Sequence, residues 1–283
     1  MEIQSLGNTG FDTIYEGFSQ AFANYELQLG KTQLRAMFTR RGFNAGLSFA
    51  AFEANRIVAF TCNGTGSFEG QPTAYDTGTG TLKDYRSKGL ATQIFEYSIP
   101  RLREAGIRQY LLEVLQHNDK AVSVYRNLGF EVTREFHYFN QNNAAIRNEA
   151  KTPAVPVEVR TINIEDYSEI PGFRDFHPSW QNSFESIRRS PEGFLSLGAF
   201  ADEKLAGYCV FEPASGDVTQ IAVGRPHRRQ GIGSLLLAGM INANLCDSVK
   251  ILNTDVTCGS ITGFLKAKNI EPKGKQFEMV KKI

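Results

Sequence analysis

The chain contains two successive series of apolar segments that follow the same order. In the first series, two helix-like segments lie within residues 10–40 and precede the apolar runs LSFAAFE and RIVAFTCNG. The polar triplet Glu53-Ala54-Asn55 separates these runs, which predicts a β-hairpin. A third strand-like segment covers about residues 73–82. This alternation of apolar and polar positions predicts an antiparallel start to a sheet.

The pattern then changes from the period of a strand to that of a helix. It predicts a helix from Leu90 to about Ala105, then the strand IRQYLLEVL, then a helix that Asn118 can cap at its N-terminus. A hairpin followed by β-α-β-α predicts an α/β fold. Its mixed sheet is mostly antiparallel and then parallel, with helices on both faces.

The second series repeats this order in the later half of the chain. Two apolar runs again flank a polar turn, at Asp202-Glu203-Lys204. The polar stretch from Asn140 to Pro156 separates the two series and is typical of a linker. The sequence therefore predicts tandem domains at residues 1–143 and 157–283, joined by a linker at 144–156.

Composition and charge narrow the classes of partner. The chain has 283 residues, 41% of them hydrophobic and 22% charged, which is typical of a globular protein. A net charge of +1 gives no bulk attraction to nucleic acid or to a membrane surface, and no apolar run approaches the roughly 20 residues of a membrane span. The start MEIQSLGNTG lacks the features of a signal peptide. We therefore expect a cytoplasmic protein that binds neither nucleic acid nor membrane.

The four cysteines show no spacing that predicts a metal site or a disulfide, and the histidines share no short spacing. No metal is therefore expected.

A basic turn that contains glycine occurs once in each half. The segments are RSKGLA at residues 86–91 and RRQGIG at residues 228–233, and each follows a strand-like run and opens a helix-like run. Backbone N–H groups and the helix dipole favour an anion at such a turn. The glycines Gly89 and Gly231 lie 142 positions apart, close to half the chain. This repetition indicates duplication of one domain.

The segments TLKDYRSKGLAT at 81–92, LLEVLQHNDKAVSVYRNLGFE at 111–131 and VGRPHRRQGIGS at 223–234 resemble the GNAT superfamily of N-acetyltransferases. Its acetyl-CoA signature is (Gln/Arg)-x-x-Gly-x-(Gly/Ala). The resemblance implies two tandem GNAT domains that bind acetyl-CoA and release coenzyme A. It also implies a fourth strand that separates from the fifth, so that its free edge pairs with the pantetheine arm. Thr79 and Gly80 would then lie nearest the acetyl group.

The resemblance implies a set of coenzyme-binding residues in each half. In the first half these are Thr81, Leu82, Arg86, Ser87, Lys88, Gly89, Leu90, Ala91, Thr92 and Asn118. In the second half they are Val223, Arg228, Arg229, Gln230, Gly231, Ile232, Gly233 and Ser234. Arg86 and Lys88 either add positive charge or face solvent. Asn118 either binds coenzyme A, caps its helix, or does both.

Acetyl transfer to an amine requires a base for the amine and an acid for the departing thiolate. The resemblance places Tyr125 at the position of the acid, although its spacing from Ala121 and Leu128 also fits a core tyrosine. Glu113 lies among apolar residues of a strand, where partial burial would raise its pKa toward that of a working base. A glutamate that pairs with an arginine or faces solvent is the alternative, and Asp76 is a second candidate for the base.

The second half lacks this chemistry. Alignment of the two halves places Leu265 at the position of Tyr125 and Cys258 at that of Asn118. Leucine cannot donate a proton, so the catalysis is assigned to the first half. The second half would bind acetyl-CoA without turnover, shape the acceptor pocket, or only stabilise the pair.

The function predicted from the sequence is direct transfer of an acetyl group from acetyl-CoA to a primary amine of a small molecule or peptide. The alternative is a non-catalytic acyl-CoA sensor or scaffold. Tyr25 is a candidate for acceptor binding, whereas the helical spacing of Phe18 and Phe22 favours core packing. The protein would be a monomer with pseudo-dimeric halves or a homodimer.

Overall fold

The computed structural model describes residues 1–23, 28–147 and 156–283. Their contacts form two compact units. Unit 1 consists of Met1–Arg134 together with Phe277–Ile283, and unit 2 is Glu135–Gln276.

Strands and helices alternate in the order expected for a duplicated α/β domain. The strands are β1 (Glu2–Ser5), β2 (Phe49–Glu53), β3 (Arg56–Phe68), β4 (Gln71–Thr81), β5 (Gln109–Leu115), β6 (Glu131–Asn142), β7 (Val157–Thr161), β8 (Leu195–Ala201), β9 (Lys204–Glu212), β10 (Asp217–Val223), β11 (Ser248–Asp255) and β12 (Pro272–Lys282). The helices are α1 (Phe11–Ala21), α2 (Lys31–Arg41), α3 (Leu90–Glu104), α4 (Asp119–Asn127), α5 (Phe184–Arg188), α6 (Ile232–Ala243) and α7 (Gly259–Ala267).

In unit 1, β1, β2, β3 and β4 are antiparallel neighbours, and β5 joins β4 in parallel. The predicted hairpin is present, with β2 and β3 paired up to Glu53 and Arg56 around Ala54 and Asn55, which both have positive φ. Helices α1 and α2 pack with β2 and β3 in one apolar cluster, and a second cluster joins α3 and α4 to β5.

Unit 2 repeats the arrangement with different residues. Strands β7, β8, β9 and β10 are antiparallel neighbours, and β11 joins β10 in parallel. A mostly antiparallel and then parallel sheet flanked by helices is therefore present in both units, which confirms the predicted fold class. No helix within the described ranges is long and apolar enough to cross a bilayer.

The unit boundaries differ from the predicted domain boundaries. Asn140–Asn142, read from the sequence as the start of the linker, belong to β6 and pair with β11. Ile146, inside the predicted linker, is buried in the core of unit 2. Residues 148–155 of that linker lie outside the described residues, as does Tyr25.

The two units exchange the ends of their last strands. β6 begins in unit 1 and continues into unit 2, whereas β12 begins in unit 2 and ends in unit 1. In unit 1, the carboxylate of Glu278 is 3% exposed and receives hydrogen bonds from Nε and Nη2 of Arg134, at 2.8 and 2.6 Å. Thr133 Oγ1 donates to the same carboxylate. An ion pair thus attaches the chain terminus to unit 1.

We expect Arg134→Met to destabilise the protein by about 3 kcal/mol, because it leaves the buried carboxylate of Glu278 without its cation. The measurement is urea denaturation followed by circular dichroism. Arg188→Met is the matched control, since Arg188 and Glu165 form an ion pair with both side chains about half exposed. Its expected cost is below about 1 kcal/mol. Equal losses in the two variants would contradict the structural role of the buried pair.

Candidate active site

A β-bulge in β4 ends the pairing between β4 and β5. The register between β3 and β4 shifts so that Cys62 pairs with Gly78 and Asn63 with Asp76, which leaves Thr77 as the extra residue. β4 pairs with β5 only over Thr73–Tyr75. Beyond the bulge, the edge of β4 that faces β5 is therefore open, as the predicted separation of these strands requires.

Asp76 precedes the bulge residue and is surrounded by hydrogen-bond donors. Its carboxylate accepts from the Gly78 N–H at 2.9 Å, from Thr79 Oγ1 at 2.8 Å and from Tyr125 Oη at 3.3 Å. Burial raises the pKa of Asp76 to about 6, and these donors only partly oppose the rise. The carboxyl group can therefore change its protonation state near neutral pH.

Glu113 belongs to β5 and lies on the opposite face of the strand from the apolar residues Tyr110, Leu112 and Val114. The hydroxyl of Tyr75 donates a hydrogen bond to its Oε2. Burial raises the pKa of Glu113 to about 7, and the negative charge of Glu278 contributes to the rise. The site thus contains a second carboxyl group that titrates near neutral pH.

Tyr125 projects from α4 toward the bulge. Its ring packs edge-on against Phe95 and Phe130 while its hydroxyl reaches Asp76, so the side chain both packs in the core and takes part in the site. The structure thus shows the core packing that the sequence offered as one alternative, together with a hydrogen bond of the hydroxyl to Asp76.

Helices α1 and α2 reach the same bulge. Arg41, the last residue of α2, donates from Nη1 to the Thr77 carbonyl at 3.0 Å. This approach requires Gly64 in β3, because a Cβ at this position would lie 2.0 Å from the Arg41 carbonyl oxygen. On α1, the ring of Phe18 lies 2.9 Å from the point that a Cβ on Gly78 would occupy. Sequence reasoning did not identify Arg41, since nothing in the local pattern connects α2 with β4.

The basic turns have the same backbone geometry in both units. Ser87 and Gly89 have φ values of 62° and 72°, and Arg229 and Gly231 have φ values of 63° and 90°. Gly89 and Gly231 are the N-caps of α3 and α6, and neither supplies a side-chain cap. The N–H groups of residues 87–92 and 229–233 donate to no other residue that the structure describes. Each turn therefore presents a set of N–H donors to an anion.

Three predicted coenzyme-binding residues have partners within the chain. Leu82 donates its N–H to the Val58 carbonyl, on the side of β3. Arg86 donates its guanidinium to two backbone carbonyls, and one of them belongs to Thr81. Asn118 caps α4 by accepting from the Ala121 N–H at 3.3 Å. The turn and Thr81 thus remain next to the open edge of β4, but the guanidinium of Arg86 does not extend freely into solvent.

Unit 2 contains a cavity of about 450 Å³ beside its basic turn. Its lining includes Arg229, Gly231 and Ser234 at one end and Asn182, Gln220 and Asn253 deeper in the fold. Those deeper side chains are neutral amides. Tyr208 Oη donates to Gln220 Oε1 at 2.6 Å, and Gln220 Nε2 donates to the Asn182 carbonyl at 2.6 Å.

The positions of Asp76, Glu113 and Tyr125 are apolar in unit 2. β10 has its own bulge at Thr219, so Val218 corresponds to Asp76. The parallel pairs Tyr75–Leu111 and Asp217–Lys250 place Leu252 where unit 1 has Glu113. Leu265 is the seventh residue of α7, as Tyr125 is of α4. Cys258 is the N-cap of α7, and Ser260 donates to Asp175 Oδ2 at 2.6 Å.

The acetyltransferase (GNAT) family model matches residues 11–130 and 157–256, which together exceed half of the chain. The chain belongs to the GNAT family. The two matched regions fall on the two series of elements, and they confirm the tandem GNAT organisation expected from the duplicated turn.

Two curated relatives are N-alpha-acetyltransferases. N-alpha-acetyltransferase MAK3 of Arabidopsis thaliana is 26% identical over 121 residues, which are 41% of this chain and 64% of the relative. N-alpha-acetyltransferase 30 of Schizosaccharomyces pombe is 31% identical over 67 residues, 23% of this chain and 45% of the relative. The chain thus spans about half to two thirds of the length of these relatives.

Two solved structures have a similar fold over nearly the full length of this chain. A tandem GNAT protein from the clavulanic acid biosynthesis pathway has a TM-score of 0.74 at 14% identity, covering 99% of this chain and 98% of its own. A GCN5-related N-acetyltransferase from Sphaerobacter thermophilus has a TM-score of 0.71 at 14% identity, covering 99% and 95%. At this sequence identity, the structural similarity establishes only that this chain shares their fold.

The residues present fit acetyl-CoA as the group that the GNAT family uses. Unpaired N–H donors suit a pyrophosphate, and the open edge of β4 can pair with an extended amide chain. Among the described residues, no group of three or more His, Cys, Asp or Glu side chains is placed to hold a metal ion.

The raised carboxyl pKa values predict how stability depends on pH. Asp76 has a folded pKa of about 6 against an ordinary value of 3.8. The unfolded chain therefore ionises first, and the protein loses stability as pH rises from about 4 to about 6. Relative to wild type, Asp76→Asn should gain on the order of 3 kcal/mol in free energy of unfolding between pH 4 and pH 7.

Urea denaturation at a series of pH values measures this difference. Asp84→Asn, at an exposed position of the same unit, is the control for removal of a carboxylate. A constant difference between Asp76→Asn and wild type from pH 4 to pH 7 would show that the Asp76 carboxyl is not perturbed.

Proposed function

We propose that unit 1 catalyses transfer of an acetyl group from acetyl-CoA to a primary amine. The observation that carries this proposal is the hydrogen bond from Tyr125 Oη to Asp76 at the bulge, where β4 separates from β5. This hydrogen bond connects the Tyr125 hydroxyl, which can donate a proton, to a carboxyl group of raised pKa beside the open edge of β4. When bound, acetyl-CoA supplies the thioester whose acetyl group is transferred.

The turn of residues 86–92 and the open edge of β4 bind the coenzyme. The N–H groups of Ser87, Gly89 and Ala91 are available to bind an anion, because they donate to no other described residue. The left-handed backbone at Ser87 and Gly89 turns successive N–H groups toward one side. The backbone N–H groups therefore bind the phosphates of the coenzyme and do not select the acyl group.

Glu113 acts as the general base. An alkylamine has a pKa near 10, so a base must remove its proton, and a base with a pKa near 7 is suited to neutral pH. Glu113 has a pKa of about 7. The carboxylate of Asp76 accepts a hydrogen bond from Tyr125 itself, besides those from Gly78 and Thr79, which favours Asp76 as the group that orients Tyr125.

Tyr125 acts as the general acid. Its hydroxyl is held by Asp76 and its ring by Phe95 and Phe130, so Oη has one orientation at the separation of β4 and β5. A proton from Oη neutralises the thiolate that leaves. Asp76 holds Oη in place by accepting its hydrogen bond, and the hydroxyl proton turns from Asp76 to the sulfur of the thiolate when it is transferred.

The acceptor is a primary amine that reaches Glu113 past α1 and α2. Two curated relatives are named N-alpha-acetyltransferases, which makes the α-amino group of a peptide the first acceptor to test. Small-molecule amines form the second part of the panel.

Unit 2 favours a second function, binding of acyl-CoA without turnover. Its cavity of about 450 Å³ adjoins a turn with the same free donors as unit 1. Val218, Leu252 and Leu265 occupy the positions of the carboxylates and the acid. A thioester bound there would meet apolar side chains at the three positions where unit 1 has Asp76, Glu113 and Tyr125.

We expect Tyr125→Phe to lower kcat about 10²- to 10³-fold with little change in KM, because it removes the proton donor and retains the ring packing. Glu113→Gln should lower kcat/KM similarly and remove the rise in log kcat/KM near pH 7. The measurement is thiol release from acetyl-CoA with the panel of peptide and small-molecule amines.

Tyr97→Phe is the matched control, since it removes a tyrosine hydroxyl on α3 whose ring stacks with Arg101 outside the site. Asp76→Asn distinguishes the two carboxylates. If Asp76→Asn removes the pH dependence and Glu113→Gln retains it, the roles assigned to these residues must be exchanged. Full turnover by Tyr125→Phe would exclude it as the acid.

Substitutions at the two turn glycines test the number of coenzyme sites. Gly89→Asp and Gly231→Asp each place a carboxylate at an anion site in a backbone conformation that Asp tolerates. Wild type should bind two molecules of coenzyme A per chain, and each variant should bind one, measured by titration calorimetry. Only Gly89→Asp should lose turnover.

Gly89→Asn and Gly231→Asn are the controls, because Asn matches Asp in shape and in tolerance of positive φ but carries no charge. They should retain most of the affinity. A stoichiometry of one in wild type, abolished by Gly89→Asp alone, would remove the proposed site in unit 2.

A further inference from the structure

The first arginine of each basic turn makes the same pair of hydrogen bonds. Arg86 donates from Nε to the Thr81 carbonyl at 3.1 Å and from Nη2 to the Ala21 carbonyl at 3.0 Å. Arg228 donates from Nε to the Val223 carbonyl at 2.9 Å and from Nη2 to the Phe173 carbonyl at 3.4 Å. The geometry recurs although Ala21 and Phe173 differ and the intervening sequences have different lengths.

The two acceptors of each guanidinium belong to different elements. Thr81 and Val223 are the last residues of β4 and β10. Ala21 is the last residue of α1, and Phe173 ends the short 3₁₀-helix Ile170–Phe173. Carbonyls at a helix end lack partners within the helix, so a cation is stabilising there. Each arginine thus connects the end of a helix with the end of the strand beside the turn.

These bonds engage Nε and Nη2 of each guanidinium with protein acceptors. Nε and Nη2 of Arg86 lie against backbone carbonyls, and Arg228 Nη2 also forms an ion pair with Asp175 Oδ1 at 3.0 Å. The N–H donors of the turn remain available to phosphate, as described above. Backbone therefore recognises the anion, while the arginine side chain performs a separate task.

The contacts of α1 indicate the role of the Arg86 side chain. Ala21 Cβ lies 2.9 Å from the point that a Cβ on Gly80 would occupy, and Phe18 lies equally close to the corresponding point on Gly78. The last turn of α1 therefore rests on the part of β4 that follows Asp76. Its position decides how much space an amine has beside the bulge.

We propose that Arg86 is a positioning residue that couples coenzyme binding in the turn to the position of α1 on the acceptor side. The assignment of an acceptor side rests on the proposed acetyltransferase function. Coenzyme bound to the N–H groups of residues 87–92 holds the turn, and the guanidinium transmits that restraint to the Ala21 carbonyl. Arg86 thus governs affinity for the amine, and Arg228 holds the equivalent segment in unit 2.

The first test separates coenzyme affinity from acceptor affinity. Arg86→Met should change the Kd for coenzyme A less than threefold and raise the KM for the amine tenfold or more. Lys83→Met removes a positive charge from the exposed 3₁₀-turn Lys83–Tyr85 that precedes Arg86, so it is the charge-matched control. It should leave the amine KM unchanged.

Arg86→Lys separates the effect of the positive charge from that of the guanidinium geometry. It also replaces Arg86→Met in the test if that variant fails to fold. One ammonium keeps the charge but cannot span two carbonyls as a guanidinium does. We expect it to raise the amine KM as Arg86→Met does. If either variant instead raises the Kd for coenzyme A at least tenfold at constant amine KM, with acetyl-pantetheine unaffected, the guanidinium binds phosphate and the proposal is wrong.

Hydrogen exchange tests the coupling without any turnover. Coenzyme A should slow amide exchange in the last turn of α1, residues 18–22, in wild type and in Lys83→Met but not in Arg86→Met. This readout remains valid if the protein acetylates none of the amines, so a failure of the proposed function is distinguishable. Equal protection in wild type and Arg86→Met, with coenzyme A bound to both, would overturn the coupling.

Discussion

The bulge at Thr77 is the constraint on which the rest of unit 1 depends. An extra residue in β4 shifts the register against β3, and pairing with β5 ends at Tyr75. The strand edge left open can accept an extended amide chain, while the same irregularity directs Asp76 toward Tyr125. A regular ladder would satisfy these backbone groups internally and leave no place for a coenzyme.

The two units show which parts of this arrangement are set by backbone and which by side chains. Both retain the bulge, the turn with two residues of positive φ and the arginine that joins strand end to helix end. They differ at the positions of Asp76, Glu113 and Tyr125, which are apolar in unit 2. Anion recognition uses N–H groups and tolerates sequence change, whereas proton transfer requires particular side chains. Duplication can therefore preserve a binding site while its chemistry is lost.

The last residues of the chain belong to unit 1 and contribute to its electrostatics. Glu278 comes from the last strand, and its charge contributes to the raised pKa of Glu113, while Arg134 opposes it. The pair formed by Arg134 and Glu278 thus belongs to the surroundings of the proposed base. Residues 277–283 complete unit 1 although they are the most distant from it in sequence.

The sequence by itself determined what depends on local pattern. Apolar periodicity located the hairpin at Ala54 and Asn55 and the helices that follow each turn, and the repeated glycines indicated two GNAT domains. These features were predictable because strand period, helix period and left-handed turns are properties of short segments. Even the loss of Tyr125 at Leu265 followed from alignment of the two halves.

Only the tertiary structure decided which distant groups meet. The bond of Tyr125 with Asp76, the approach of Arg41 to Thr77 and the attachment of Arg86 to Ala21 join residues 36 to 65 positions apart. Unit 1 likewise joins residues 1–134 with residues 277–283, and residues 140–142 of the polar stretch read as a linker pair within a strand. Such contacts follow from register and packing of whole elements, which no local window of sequence contains.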